Sequence, residues 1–437
     1  MKQRKPAWYK WAALTACAIL AAGISLLAPK LVNEQPHTGA ILDVVYPKAY
    51  AFDDHDTWSE VREQNPVADD FIEAVNKFSY KTSPHILNNG GTNVNYSPLS
   101  LYFALSLAAS GAKNETQAQL LHVLGVSDPG ILSEQSGNLY RTLYKDNDIG
   151  KLKIANSIWM DQEHNGKPVR FKLDFVKHAA EHFYASSHIV DFAKEEAGIA
   201  MAAWISANTN GTLSPRLETN ADQILSILNT VYFYDEWVDQ FDKEKTAVDV
   251  FHLADGHDVH VEFMNQTFGS GSYAKGKGFT RAGLGLKNGG QMVFILPDRG
   301  VSPYELLSSP EQMRKTFEEG ENNHGQIVWK IPKFSFQSEL DLANVLKKLG
   351  VVSAFTPEAD FSGITDYTAF FSRVLQGTHI AIDENGVEAS AYTLIASAGS
   401  RPPESRAEMI LDRPFIYGIT APNGSLLFVG ICENPAE

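Results

Sequence analysis

The sharpest chemical pattern in the chain is His178-Ala179-Ala180-Glu181-His182, an H-x-x-E-H in which two imidazoles stand one helical turn apart and could share a zinc ion. Nothing in the sequence marks a third ligand, and a solvated helix face explains the same residues, so no metal is assigned. No nucleophile elbow of the G-x-S-x-G type, no P-loop and no C-x-x-C pair occurs, and Gly269-Ser270-Gly271-Ser272 lacks the strand-to-helix context of a phosphate cradle. Asn114, Asn265 and Asn423 each begin an N-x-S/T sequon, which matters only where the host glycosylates exported proteins. These residues point to a protein that is not an enzyme and carries no cofactor.

The elements that must position the functional residues begin with helices. Val67, Phe71, Val75 and Phe78 share one face of a segment expected to stop before Pro84. Ser97-Pro98 supplies a cap and a first-turn proline for a helix whose stripe Leu101, Leu105 and Ala108 runs to Gly111, and Thr116-x-x-Gln119 reads as a capping box for a short helix ending at Gly125. The period then changes to β-rich runs at 226–234, 292–296, 326–334, 371–382, 414–420 and 425–432, with Asn423-Gly424 as a hairpin turn between the last two. Helices and scattered strands without strict alternation imply an α+β fold.

At 437 residues, 44% hydrophobic and 20% charged, the chain can bury a large core. Its formal charge is −15, although Lys2, Arg4, Lys5, Lys10 and Lys30 crowd into thirty residues that hold no acid. So acidic a body repels phosphate backbones, which argues against nucleic acid as a partner. Cys17 and Cys432 are the only cysteines, which leaves no disulfide within the body once the leader is removed.

The basic Lys2–Lys10 stretch followed by the uncharged run Trp11–Ala28 reads as an export signal. As a helix those 18 residues would span about 27 Å, close to a bilayer core, so residues 11–28 could remain as a membrane anchor. Ordinary cleavage and a lipoprotein, from the lipobox-like Leu14-Thr15-Ala16-Cys17, are the alternatives. In each case the body lies outside the cytoplasm: extracellular, periplasmic or on the outer face of the cytoplasmic membrane. Residues 29–66 lack periodicity and read as a linker, giving a signal or anchor at 1–28, a linker at 29–66 and a folded domain at 67–437.

Within that domain, Asn95-Tyr96-Ser97-Pro98-Leu99-Ser100, Ala155-Asn156-Ser157-Ile158-Trp159, Leu228-Asn229-Thr230-Val231-Tyr232-Phe233 with Trp237, and Ile331-Pro332-Lys333-Phe334 occur in that order. Ala359-Asp360-Phe361-Ser362-Gly363-Ile364, Asp412-Arg413-Pro414-Phe415 and Phe428-Val429-Gly430 follow. In register, these motifs resemble the serpin family of serine protease inhibitors, in its bacterial form with an N-terminal export signal or anchor. The resemblance implies three β-sheets, about nine helices and an exposed reactive-centre loop. It also implies a monomeric suicide substrate: a protease cuts the loop, the hinge enters the main sheet as a new strand, and the acyl-protease is trapped. A non-inhibitory binding or chaperone role is the alternative within the family.

The hinge of that resemblance is Glu384-Asn385-Gly386-Val387-Glu388-Ala389-Ser390-Ala391-Tyr392-Thr393. In a strand, Val387, Ala389, Ala391 and Thr393 would face the core while Glu388, Ser390 and Tyr392 faced solvent, and no proline interrupts 384–401. Small inward residues suit a strand that must thread between neighbours. By the family's spacing the cut falls between Ser400 and Arg401, within Ala396-Ser397-Ala398-Gly399-Ser400, which suits the shallow pocket of an elastase-like or subtilisin-like serine protease, with a cysteine protease as a further candidate. The resemblance assigns Ser97, Ser100 and Asn229 to the polar cluster where the sheet opens. Gln376 stands where the family usually has histidine, which implies an altered latch. Glu384 and Lys333 match a charge pair near Trp237, where the loop emerges.

Overall fold

The computed structural model describes residues 39–88, 90–388 and 405–437. The apolar run at 11–28, the hinge residues Ala389, Ser390, Ala391 and Thr393, and the Ser400–Arg401 bond lie outside the described residues. Among the described residues, no helix is long and apolar enough to cross a membrane.

Helices dominate the N-terminal half: α1 (His55–Gln64), α2 (Asp69–Leu87), α3 (Pro98–Gly111), α4 (Asn114–Leu124), α5 (Pro129–Leu143), α6 (Leu173–Phe183) and α7 (Glu195–Asn208). Three shorter ones follow, making ten α-helices among the described residues. On α2, Phe71, Val75 and Phe78 face the core as expected, but the helix runs through Pro84 to Leu87. The proline removes one backbone donor near the helix end, and burial of Ile86 and Leu87 beyond it outweighs that loss. Helix α3 begins as read, with Ser97 accepting from the Ser100 amide and Pro98 at the first position, and every residue but Ser110 is buried. It is the central helix of the core.

Helix α4 ends on Gly125, whose φ of 73° meets the left-handed geometry the stop requires. Its start differs from the expected capping box. Thr116 and Gln119 lie inside the helix, and their side chains accept from the amides of Asp360 and of Val352 and Ser353. The motif is thus a tertiary anchor for the 350–360 segment.

Residues 40–66, read as a linker, belong to the folded body, because Ala40–Glu437 forms one compact unit. The Ile41 amide donates to Ser187 (2.8 Å), Tyr46 stacks between Tyr144 and Tyr184 at 6.2 Å from each, and Asp54 caps α1. Isolated aromatic anchors carry no period, so the pattern along the chain does not reveal them.

A seven-stranded sheet carries the expected functional residues: β1 (Lys145–Asp146), β2 (Gly150–Asp161), β3 (Ala185–Val190), β4 (Leu225–Glu236), β5 (Phe334–Asp341), β6 (Phe371–Ile382) and β7 (Gly386–Val387). The order runs β5-β6-β7-β4-β2-β1, with β3 parallel to β2. A nine-stranded sheet includes the hairpin Phe415–Thr420 and Leu426–Cys432, turned at Asn423-Gly424 as expected, and a two-stranded ribbon completes three sheets. Phe334 links the two large sheets, with its ring 5.9 Å from Phe415 and 5.5 Å from Tyr417.

Candidate functional site

The main sheet is divided along its length. In its lower half β6 and β4 pair directly and in parallel, from Phe371 opposite Leu225 to Thr378 opposite Val231. In its upper half the two-residue strand β7 lies between them and antiparallel to both: Gly386 faces Glu236, and Val387 faces Asp235 on one side and Ile382 on the other. Val387 is 1% exposed, so its apolar side chain fills the head of a seam that is zipped shut further down.

Glu388, expected to face solvent in the inserted strand, lies outside the strand in the uncut chain: its side chain is 8% exposed and its carboxylate bonds to His379 Nδ1. The cause is backbone geometry, since Glu388 has φ +55° and turns the chain out of the strand just after Val387. Its amide still reaches the Ala381 carbonyl (2.9 Å). Gly386 and Val387 pair within the sheet, and Glu388 turns out of it.

The turn that feeds the wedge is fixed on three carbonyls. Trp237, fully buried, donates from Nε1 to Asp383 O (2.9 Å) and from its amide to Asn385 O (2.9 Å), while the Phe241 amide takes Glu384 O (2.9 Å). The Asp383 carboxylate accepts from the amides of Asn385 (2.7 Å) and Gly386 (3.2 Å). Glu384 and Lys333 form the expected pair at 3.4 Å, and Thr246 Oγ1 donates to the same carboxylate at 2.7 Å. Burial by itself would raise the Glu384 pKa, but the Thr246 hydrogen bond and Lys333 outweigh it and hold the carboxyl below its ordinary range. These bonds make the turn a rigid abutment for whatever follows.

The closed half is sealed by buried side chains from β2, β4, β6 and the start of α3. Asn156, Asn229 and Gln376 lie side by side across the three strands. Asn229 accepts from Ser100 Oγ and from Gln376 Nε2 (3.2 Å), and donates to Asn156 Oδ1 (2.8 Å). Gln376 accepts from the Ser97 amide (3.0 Å) and donates to the Ser97 carbonyl (2.9 Å). Ser97 Oγ donates to Leu427 O (2.7 Å), which ties the seam to the second large sheet. Ser97, Ser100, Asn229 and Gln376, which the resemblance groups, thus meet in one cluster, and the side-chain amide of Gln376 grips both the N–H and the carbonyl of Ser97.

Sequence reasoning left out Asn156, Thr378, His379 and Thr246. Thr378 donates to Asn95 O (2.9 Å) one step above Gln376 on the same face. A signal for Asn156 existed: an amide in the middle of an apolar strand is costly unless a partner awaits it. No signal marked His379 and Thr246, because their partners lie 9 and 138 residues away.

The zinc-like pair sits on α6. His178 Nε2 is 3.0 Å from Ser133 Oγ on α5, and its ring centroid is 4.5 Å from that of His182. Burial and then the neighbouring His182 push the His178 pKa down. The two rings pack on a helix interface, and no group of three metal-binding side chains forms among the described residues.

With this geometry in place, the comparisons with known proteins converge. A family model for serpin (serine protease inhibitor) matches residues 73–435. Serpin-ZX of Arabidopsis thaliana is 28% identical over 398 residues, covering 83% of this chain and 98% of that protein. Among solved structures, AtSerpin1 from Arabidopsis in its native stressed conformation is 26% identical with a TM-score of 0.74, over 85% of this chain and 100% of that one. The thermophilic serpin tengpin in its native state reaches a TM-score of 0.76 at 24% identity, over 90% of this chain and 97% of that one. Human thyroxine-binding globulin complexed with thyroxine shares the fold, with a TM-score of 0.75 at 21% identity over 84% of this chain and 99% of that one. On the family match, the chain belongs to the serpins.

Proposed function

We propose that the chain inhibits a serine endopeptidase by acting as a suicide substrate, and that the seam between β4 and β6 is where the cut loop is received. The observation that carries this reading is the wedge Gly386–Val387, already antiparallel between two strands that pair with each other below it. Continuing its register, each further residue advances one position down both flanking strands. Ala389 falls between Ile380 and Phe233, Ala391 between Thr378 and Val231, and Thr393 between Gln376 and Asn229. The advancing strand then parts the Gln376–Asn229 hydrogen bond and sets a hydroxyl in its place.

Chemically, the protease's serine oxygen attacks the Ser400 carbonyl carbon, the Ser400–Arg401 bond breaks, and the new amine of Arg401 departs with the C-terminal fragment. Strand insertion then carries the acylated Ser400 towards the far end of the sheet, about 50 Å for residues 386–400 at roughly 3.3 Å each. Roughly a dozen new ladder bonds at about 1 kcal/mol net each make the step effectively irreversible. Ser397, Ala398 and Ser400 favour an elastase-like or subtilisin-like target over a trypsin-like one, since Pro402 follows Arg401 and hinders cleavage after it. The N-terminal export pattern supports a site of action outside the cytoplasm.

The test is to mix the folded chain with an elastase-like protease and look for an adduct that survives boiling in detergent, with a released fragment whose sequence begins at Arg401. Cleaved chain with fully active protease across a broad protease panel would remove the inhibitory reading and leave a binding or chaperone role.

A further inference from the structure

A cleft of about 720 Å³ opens between α1, the start of α2, the end of α5 and the upper ends of β2 and β4. Its α1 wall, carrying Trp58 and Arg62, lies before residue 73, where the family match begins. The volume falls within the ordinary range of small-molecule sites, about 300–1,000 Å³.

The chemistry of the cleft is divided. Ile72, Leu143, Leu152, Phe233 and Leu427 supply apolar wall. At the rim, Lys145 Nζ donates to Tyr50 Oη (2.8 Å) and stands 4.8 Å from the Tyr50 ring centroid and 5.3 Å from that of Trp58, while the Arg62 guanidinium lies 4.7 Å from the same indole. The described residues form no ion pair with either cation. Burial, with Arg62 acting in the same direction, pushes the Lys145 pKa down to about 8 even though Asp235 opposes it. Two cations gathered on one indole repel each other, and an anion bridging them would relieve that cost. Glu63, Asp69 and Asp235 also line the cleft, which disfavours a multiply charged guest such as phosphate.

We propose that this cleft binds a small amphipathic carboxylate, its single charge held by Lys145 and Arg62 and its hydrocarbon body laid against Leu143, Leu152 and Phe233. This is independent of protease trapping. Arg62 is exposed, and its replacement leaves the apolar wall intact.

Calorimetric titration of the full chain with sodium decanoate tests it. The expected result is one saturable site with a Kd below about 1 mM, weakened at least roughly tenfold in Lys145→Met and in Arg62→Gln, and no comparable binding of decyltrimethylammonium. Failure of decanoate to saturate the unmodified chain would overturn the proposal. So would equal affinity in Arg62→Gln, or equal affinity for the cationic amphiphile, since either result would leave only non-specific hydrophobic uptake.

Discussion

The two halves of the main sheet use the same pair of strands in opposite ways. Above, β4 and β6 are held apart by Gly386 and Val387, and the head of the wedge is apolar. Below, the same strands pair directly and are backed by buried amides and hydroxyls that also grip the first turn of α3. An apolar wedge gains by every further residue it buries, whereas a hydrogen-bonded seam resists until its partners are replaced. The difference teaches that one pair of strands is separated at one end and hydrogen-bonded at the other, the arrangement that the proposed insertion requires.

The most severe way to break this contrast is to spoil the wedge. Val387→Arg forces a charge into a position that is 1% exposed. Cleavage of the loop should continue while the detergent-stable adduct falls by roughly a hundredfold or more, and an unchanged adduct yield would show that Val387 does not lead the insertion.

The next effect comes from the latch. Gln376→Ala removes three hydrogen bonds and leaves the Ser97 amide and carbonyl buried without their side-chain partner. A loss of about 2–4 kcal/mol of unfolding free energy, read from a lower denaturant midpoint of the uncut protein, is expected, together with easier opening of the lower half. A midpoint equal to that of the parent would mean that the seam is held by the strand pairing alone.

A smaller effect sharpens the comparison at the wedge. Burial pushes the Asp235 carboxyl up to about 7, with hydrogen bonds from Asn288 and the Glu236 amide opposing it. Its folded-state pKa thus lies above the ordinary 3.8, so the folded protein holds the proton more tightly than the unfolded chain. This contribution to stability is full below 3.8 and is lost as pH rises through about 7. The melting temperature of the uncut protein should fall between pH 4 and pH 7, and Asp235→Asn should flatten that slope. A slope unchanged by the substitution would assign it to other groups.

Features written in local chemistry were legible before the fold was known. Ser97-Pro98, Gly125 and Asn423-Gly424 each impose a cap, a stop or a turn through their own backbone and nearest neighbours, and the structure shows all three. The latch and the Glu384–Lys333 pair were found through the resemblance, since nothing in spacing joins Ser97 to Gln376 across 279 positions. Thr116 and Gln119 were misread because the capping pattern fits two explanations, and their partners are more than 230 residues distant. The contact of Glu388 with His379 was not legible because strand alternation assumes an extended backbone, and the uncut chain leaves that geometry there. The stretch 40–66 was taken for a linker because single tyrosines anchor it, without any repeating face.

The central claim is that the residues after Val387 complete the strand that Gly386 and Val387 begin. Melting the uncut chain beside chain cut once at the reactive loop tests it most directly. A gained central strand should raise the melting temperature of the cut form by tens of degrees, while equal melting temperatures would mean that no strand had entered and would contradict the account.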